Sequence, residues 1–336
     1  MEVISVFSGA GGMDYGLLQS GHDIVLAVDK DMKACETYEK NLQIKPICDD
    51  IKNVNKYPNA DLLVACCPCQ GFSMFGNRKY NDSRNFLYRE IIRYLNKVKP
   101  KYLIMENVKG LLKLYKKNFF NMMIKDFFSA GYRLKWKLIN AKYYGVPQDR
   151  LRIFIVGVRK DIKFTFNFPM ETHGYLIKSA DHLMLSQKDI AKSEYMYEYN
   201  DCFQPFVTLQ KSISGMCSPK KGEYWDSKKY SYFYMSRNRR RSWDEVSYTI
   251  QASGRHIPLH PSSPPMKFIE KDRWAFTEDI TKYRRLSVPE CAVIQSFPKD
   301  FSFSGGINSK YRQIGNAVPP LVSYQIGLMF NRLEKC

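Results

Sequence analysis

The feature that most constrains this chain is the alternation of strand-like and helix-like segments across its first half. Short apolar runs at residues 2–7, 24–29, 61–65 and 101–105 read as strands. Between them, residues 13–20, 31–41 and 83–98 carry apolar side chains at helical spacing. Such a chain builds right-handed βαβ units, because strands paired in one direction need a crossover between them. Two further strands, 133–139 and 151–158, are separated by a turn-rich stretch at 144–149. That gap is too short for a crossover helix, so the pair is expected as an antiparallel hairpin at the sheet edge. The expected class is α/β: a doubly wound, mostly parallel, Rossmann-like sheet with an antiparallel edge hairpin.

From about residue 170 the pattern decays. Residues 170–280 are polar, rich in Tyr and Ser, and irregular, which suggests a second, smaller domain; helical character returns at 288–296 and 318–334. The chain carries 52 Lys and Arg against 33 Asp and Glu, a net charge of +19, with 14% aromatic residues. This balance suits a groove for a polyanion such as nucleic acid, although an anionic membrane or a merely basic surface would show the same excess. No apolar run reaches membrane-spanning length and no basic-then-apolar signal opens the chain, so a soluble cytoplasmic protein is expected. Nine cysteines, an odd number without a secretion signal, point to free thiols rather than a disulfide framework.

The first strand runs into Phe7-Ser8-Gly9-Ala10-Gly11-Gly12 at the mouth of a helix. Glycines there permit a tight turn and let backbone N–H groups approach a ligand. The dinucleotide fingerprint is absent, because its third glycine position falls on Asp14. Asp29 ends the second strand, where a carboxylate can accept hydrogen bonds from ribose hydroxyls, and Asp50 follows a third strand-like turn, within reach of an adenine amino group. A plain strand–helix turn with a solvated Asp would look the same.

Pro68-Cys69-Gln70 directly follows the third strand, and Glu106 ends the next. Ligands of open α/β sheets sit beyond the carboxyl ends of strands, so a thiol and a carboxyl are expected to face one pocket. Gln148, Arg150 and Arg152 alternate at a strand start and share a face, where two guanidiniums could hold a base oxygen, a phosphate or the loop of Cys69. Cys66 and Cys69 also form a C-x-x-C, open to a redox or half-zinc reading. His256 and His260 are distant and Pro258 breaks any helix between them, so no metal is expected.

Taken in order, these pieces resemble the DNA cytosine-5 methyltransferase family. Residues 7–16, 28–31, 49–51, 68–73, 106–108, 148–152, 285–298 and 311–320 look like its successive motifs, omitting mainly residues 170–230. The resemblance implies S-adenosylmethionine as methyl donor, S-adenosylhomocysteine as product, and a cytosine flipped out of duplex DNA. Cys69 would attack C6, Glu106 would hydrogen-bond or protonate N3, Arg152 would contact the flipped base, and Arg150 and Gln148 would steady the site. For the cofactor it implies Phe7, Gly9, Gly11, Gly12, Asp29, Lys30, Asp50, Ile51, Pro68, Leu87, Asn316 and Ala317. It further implies a discontinuous catalytic domain, 1–173 with 304–336, whose last helix packs beside the first, and a target-recognition domain at 174–303. Three residues depart from the usual pattern: Cys67 for Pro, Asp49 for Gly, and Lys30 for an aromatic that stacks on adenine.

Residues 236–239 and 249–255 resemble the recognition segment of bacterial enzymes that methylate GGCC. Arg237, Arg239 and Arg255 are the expected base readers, with Thr249 near the backbone and Gln251 beside it. Neutralising phosphates is the alternative use for such arginines. The expected target is GGCC, or a relative with two guanines and two cytosines around a spacer, read by a monomer on double-stranded DNA as in restriction–modification systems. Methylation of tRNA cytosine and a catalytically silent DNA-binding protein stay open beside it.

Overall fold

The computed structural model describes residues 1–68, 86–112, 118–174, 204–225, 227 and 229–331. Cys69, Gln70 and residues 71–85 lie outside the described residues.

The main sheet contains β1 (Glu2–Val6), β2 (Asp23–Asp29), β3 (Ile47–Cys48), β4 (Leu62–Ala65), β5 (Tyr102–Val108), β6 (Tyr132–Asn140) and, after the two-residue β7 (Gln148–Asp149), β8 (Leu151–Arg159). Its order is β3-β2-β1-β4-β5-β8-β6. The first five strands are mutually parallel, while β8 runs antiparallel to both neighbours. The antiparallel pair expected from the sequence is present, but β8 is inserted between β5 and β6 and only β6 forms the edge. That order lets β8 pair along its full length on both sides, which a terminal place would not.

Alternate residues of the central strands enter opposite cores. Ile4, Val6, Leu63, Ala65, Leu103 and Met105 pack with α3 (Tyr88–Val98) and α4 (Asn118–Ser129), while Val3, Leu62, Val64 and Ile104 pack on the other face. Both faces are therefore dry, and the strands read as continuous apolar runs. Helix α4 was not anticipated, although its buried Phe119, Phe120, Met123 and Phe127 share one helical face.

On the second face lie α1 (Gly12–Gln19) and the final helix, α8 (Pro320–Asn331), with α2 (Met32–Leu42) packed alongside through Tyr38. Helices α1 and α8 touch backbone to backbone. A Cβ on Gly16 would stand 2.3 Å from the Pro320 carbonyl oxygen, and one on Gly327 would stand 2.1 Å from Ser20 Oγ.

The remainder is built from short pieces. The pair β9 (His173–Gly174) and β10 (Gln204–Pro205) precedes α5 (Leu209–Ile213), and β11 (Ser247–Tyr248) pairs with β7. A hairpin of β12 (Met266–Glu270) and β13 (Arg273–Phe276) leads to α6 (Val288–Ile294) and α7 (Ile307–Asn316). Helix α6 begins with a capping box between Ser287 and Glu290. Ile250, Ile257, Leu286, Cys291, Phe297, Tyr311 and Ile314 share a core with Ala10 of the first loop. Among the described residues no helix is long and apolar enough to cross a membrane.

Candidate active site

A cavity of about 550 Å³ opens at the carboxyl ends of β1, β2, β4 and β5, where the strand order reverses between β1 and β4. Its floor is the glycine-rich turn. Phe7 takes φ +56, a left-handed conformation costly for a bulky residue, and Gly9 follows at φ +56. The Ser8 amide donates to the Val28 carbonyl, holding the turn against β2. A Cβ on Gly12 would stand 2.4 Å from the Val318 carbonyl oxygen, so this glycine lets the C-terminal segment close over the turn.

Asp29 organises that turn. Its Oδ2 accepts the Gly9 amide at 2.8 Å and its Oδ1 the Asp31 amide at 2.8 Å. Burial pushes its carboxyl pKa up, opposed by these backbone donors. Beneath it, Asp14 accepts from Ser5 Oγ at 2.7 Å and Tyr38 Oη at 2.8 Å, and its burial raises its pKa to about 6. This buried knot ties β1, α1 and α2 together under the cavity.

Of the residues expected at the cofactor, Phe7, Gly9, Gly12, Asp29, Lys30, Asp50, Ile51, Pro68, Leu87, Asn316 and Ala317 all line the cavity. Gly11 does not; a Cβ there would crowd Tyr38 and Leu42, so its place is in the packing of α1 on α2. Lys30 Nζ lies 3.6 Å from Asp50 Oδ2 at the rim. Ser8, Cys66, Cys67, Arg312 and Gln313, which the sequence did not assign to the cofactor, also line the cavity. Arg312 reaches Asp31 at 2.8 Å and Gln313 meets Thr37 at 2.6 Å, joining α7 to α2. Both fall inside the 311–320 block, but their place in the cavity follows from the helical register of α7, which went unread.

The cavity also contains the acidic end. Glu106 is buried, and its Oε1 lies 3.2 Å from Arg152 Nε. Burial raises its pKa, and the charges of Arg152 and then Arg150 pull the other way. Arg150 is almost wholly buried, donating to the carbonyls of Gly315 and Ala317 at 2.9 Å each and of Ile250 at 3.4 Å. It locks the C-terminal segment and the backbone at Ile250 against the junction of β7 and β8. Gln148 lies behind it, outside the cavity, bonded to Gln295, to the Ile294 carbonyl and to the Ile250 amide. Pro68 carries the wall up to the point where the described residues stop, one residue before Cys69.

The expected base readers separate. Arg237 and Arg255 are exposed, whereas Arg239 is buried and donates to the carbonyls of Tyr234 at 2.7 Å and Phe233 at 2.9 Å. Burial lowers its pKa to about 10. Thr249 Oγ1 donates to the Asp149 carbonyl at 2.6 Å, and the backbone of Gln251 presses on Gly315. These two therefore tie residues 249–251 to β7 and α7. Among the described residues no cluster of three His, Cys, Asp or Glu could hold a metal ion.

Comparison with known proteins agrees with this geometry. The C-5 cytosine-specific DNA methylase family matches residues 1–331. Type II methyltransferase M.BsuRI of Bacillus subtilis is 40% identical, covering 96% of this chain and 77% of the relative. Type II methyltransferase M.FnuDI of Fusobacterium nucleatum is 39% identical, covering 97% and 93%. Among solved structures, the Dnmt2 methyltransferase of S. pombe superposes with a TM-score of 0.62 at 18% identity over 99% of both chains. The Entamoeba histolytica methyltransferase EhMeth gives 0.67 at 18% identity, over 99% of this chain and 98% of the other. The chain belongs to the C-5 cytosine-specific DNA methylases and is a DNA (cytosine-5-)-methyltransferase.

Proposed function

We propose that the cavity holds S-adenosylmethionine at its glycine-rich end and a flipped cytosine of double-stranded DNA at its Glu106 end. The observation that carries this reading is the shared cavity itself, lined by Glu106, Arg152 and Pro68 together with Phe7, Asp29 and Asn316. The fit to the cofactor rests on the shape and donors present. Phe7, Ile51 and Leu87 offer apolar faces to a purine, Asp50 an acceptor for its amino group, and Ser8 Oγ is buried without a partner among the described residues. Asp29 already spends an acceptor site of each oxygen on the turn, so it orients the loop as well as facing the ribose. When bound, the sulfonium supplies an electrophilic methyl group.

The chain's own residues supply the rest. Cys69, as thiolate, adds to C6 of the cytosine. Glu106 donates a proton or hydrogen bond to N3, which relieves the negative charge developing on the ring. Its raised pKa favours the protonated form this needs. Arg152 faces the same end and holds the base, and Arg150 fixes the backbone around it. After C5 is methylated, a base removes the C5 proton and the Cys69 thiolate leaves.

The catalytic unit is read as residues 1–173 with 304–336, supported by the close contact of α1 with α8, and target recognition as residues 174–303. Arg237 and Arg255 project to solvent from that region and are the readers favoured for guanine. The target is GGCC, or a spaced relative, within a restriction–modification system, and the enzyme acts as a monomer. Duplex DNA is favoured over tRNA by the size of the recognition region and its arginines. Bisulfite sequencing of DNA from cells expressing the chain tests this: methylation at GGCC is expected, absent for Cys69→Ser. Methylation confined to unrelated sequences would refute the target, and turnover by Cys69→Ser would remove the thiol from its role.

A further inference from the structure

Two thiols lie beside one strand end, just outside the cavity wall. Cys35 lies one residue past Ala34, and Cys48 one residue before Asp49; both neighbours line the cavity. The β2–β3 register sets Cys48 opposite Asp29. Cys35 Sγ donates to the Asp29 carbonyl at 3.4 Å, and the Asp49 amide reaches the same carbonyl at 3.0 Å. Helix α2 and β3 pack against each other there, so both thiols stand beside that carbonyl. Cys35 is buried and Cys48 exposed, both are free thiols, and the proposed mechanism uses neither.

We propose that Cys35 and Cys48 form a dithiol site that a disulfide-class oxidant, such as oxidised glutathione, closes to an intramolecular disulfide, weakening cofactor binding. Exposed Cys48 attacks the S–S bond of the oxidant, forming a mixed disulfide and releasing one glutathione. Cys35 then gives up its proton and displaces the second glutathione. Two protein thiols lose two electrons and two protons, and one oxidant disulfide becomes two glutathione thiols. Burial, then Cys48 and the carboxylates of Asp29 and Asp31, push the Cys35 thiol up, so the second step is the slow one and quickens as pH rises.

Closure removes the Cys35 donor from the Asp29 carbonyl and draws β3 toward α2. These two elements and the residues beside them supply Asp31, Ala34, Asp49, Asp50 and Ile51 to the cavity. The Asp29 carboxylate holds the Gly9 amide, so movement at this strand end reaches the glycine turn. The effect on affinity rests on the cavity being the cofactor site; the cross-link does not.

The test is to treat the full-length chain with oxidised glutathione and digest it with trypsin without reduction. Lys45 precedes Pro46 and resists cleavage, so a joined pair of peptides, 34–40 with 41–52, is expected, lighter by two hydrogens than their sum. Affinity for S-adenosylhomocysteine, measured by calorimetry, is expected to fall about tenfold, the scale of one displaced hydrogen bond to a charged group. Reductant should restore it, and Cys48→Ser should show neither change. A stable glutathione adduct on Cys48, or a cross-link to another cysteine, overturns the site. The joined peptide with unchanged affinity overturns its coupling to the cofactor. Failure of the reduced protein to bind S-adenosylhomocysteine at all would instead count against the cavity assignment.

Discussion

In the sheet, seven strands pair through continuous backbone ladders, and Asp29, Glu106 and Arg152 stand at or near strand ends on the cavity. Across residues 229–286 ladders are few and arginine side chains take their place. Arg239 binds the carbonyls of Tyr234 and Phe233, Arg240 that of Pro261, and Arg285 those of Ser227 and Lys229. A guanidinium carries five donors in a fixed fork, so it can satisfy carbonyls that an irregular segment leaves unpaired. The contrast teaches that arginine content alone does not measure exposed charge in the second region: burial separates the internal scaffold of Arg239 from the exposed Arg237 and Arg255.

The sharpest break of that comparison is at Glu106, where the ladder region should carry chemistry without stability. Glu106→Gln is expected to lower kcat by roughly 10²–10³-fold with little change in melting temperature. With protonated Glu106 as the proposed donor, wild-type kcat is expected to fall as pH rises through its raised pKa, and the Gln variant to lack that limb. Stopped assays across pH check both; an unchanged kcat would detach Glu106 from the reaction.

Next comes the buried knot under the cavity. The folded pKa of Asp14 is about 6 against 3.8 for its ordinary value, so the folded state holds the proton more tightly. Its contribution therefore grows as pH falls from above 6 toward 3.8, by on the order of 3 kcal/mol. Asp14→Asn should erase that component, and urea titrations at several pH values would reveal it. An unaltered pH slope would show that the carboxyl is not titrating there.

The two arginines of the second region should then divide. Arg239→Met is expected to cost about 2 kcal/mol of stability, because buried carbonyls lose charged donors. Arg237→Met should leave the melting temperature alone, weaken DNA binding about tenfold, and reduce the slope of log K against log salt by about 0.9 if it meets a phosphate. A changed site preference with an unchanged slope would instead mark it as a base reader. Equal behaviour of the two would erase the distinction between scaffold and contact.

Much of this molecule was legible from residues alone. Strand-end positions announced Asp29, Pro68 and Glu106, because short continuous apolar runs end where a parallel sheet opens. The glycine turn was legible too, and the φ values of Phe7 and Gly9 explain why it must be tight. Helices α4 and α7 were not read, and with α7 went Arg312 and Gln313. The place of β8 was also hidden, since a short connection specifies an antiparallel partner but not which strand lies on the other side.

The sequence by itself determined the βαβ framework, the order of the motifs and the chemistry of the strand-end groups, because these follow from local periodicity and residue type. The tertiary structure alone decided which polar groups face the cavity and which are spent on packing. Gln148, Gly11, Thr249 and Arg239 look like site residues along the chain, yet each is committed to a neighbour far away in sequence or to buried backbone. The reason is physical: a hydrogen-bonding side chain is available to a ligand only if the fold has not already satisfied it, and that depends on contacts between distant segments that no local pattern encodes.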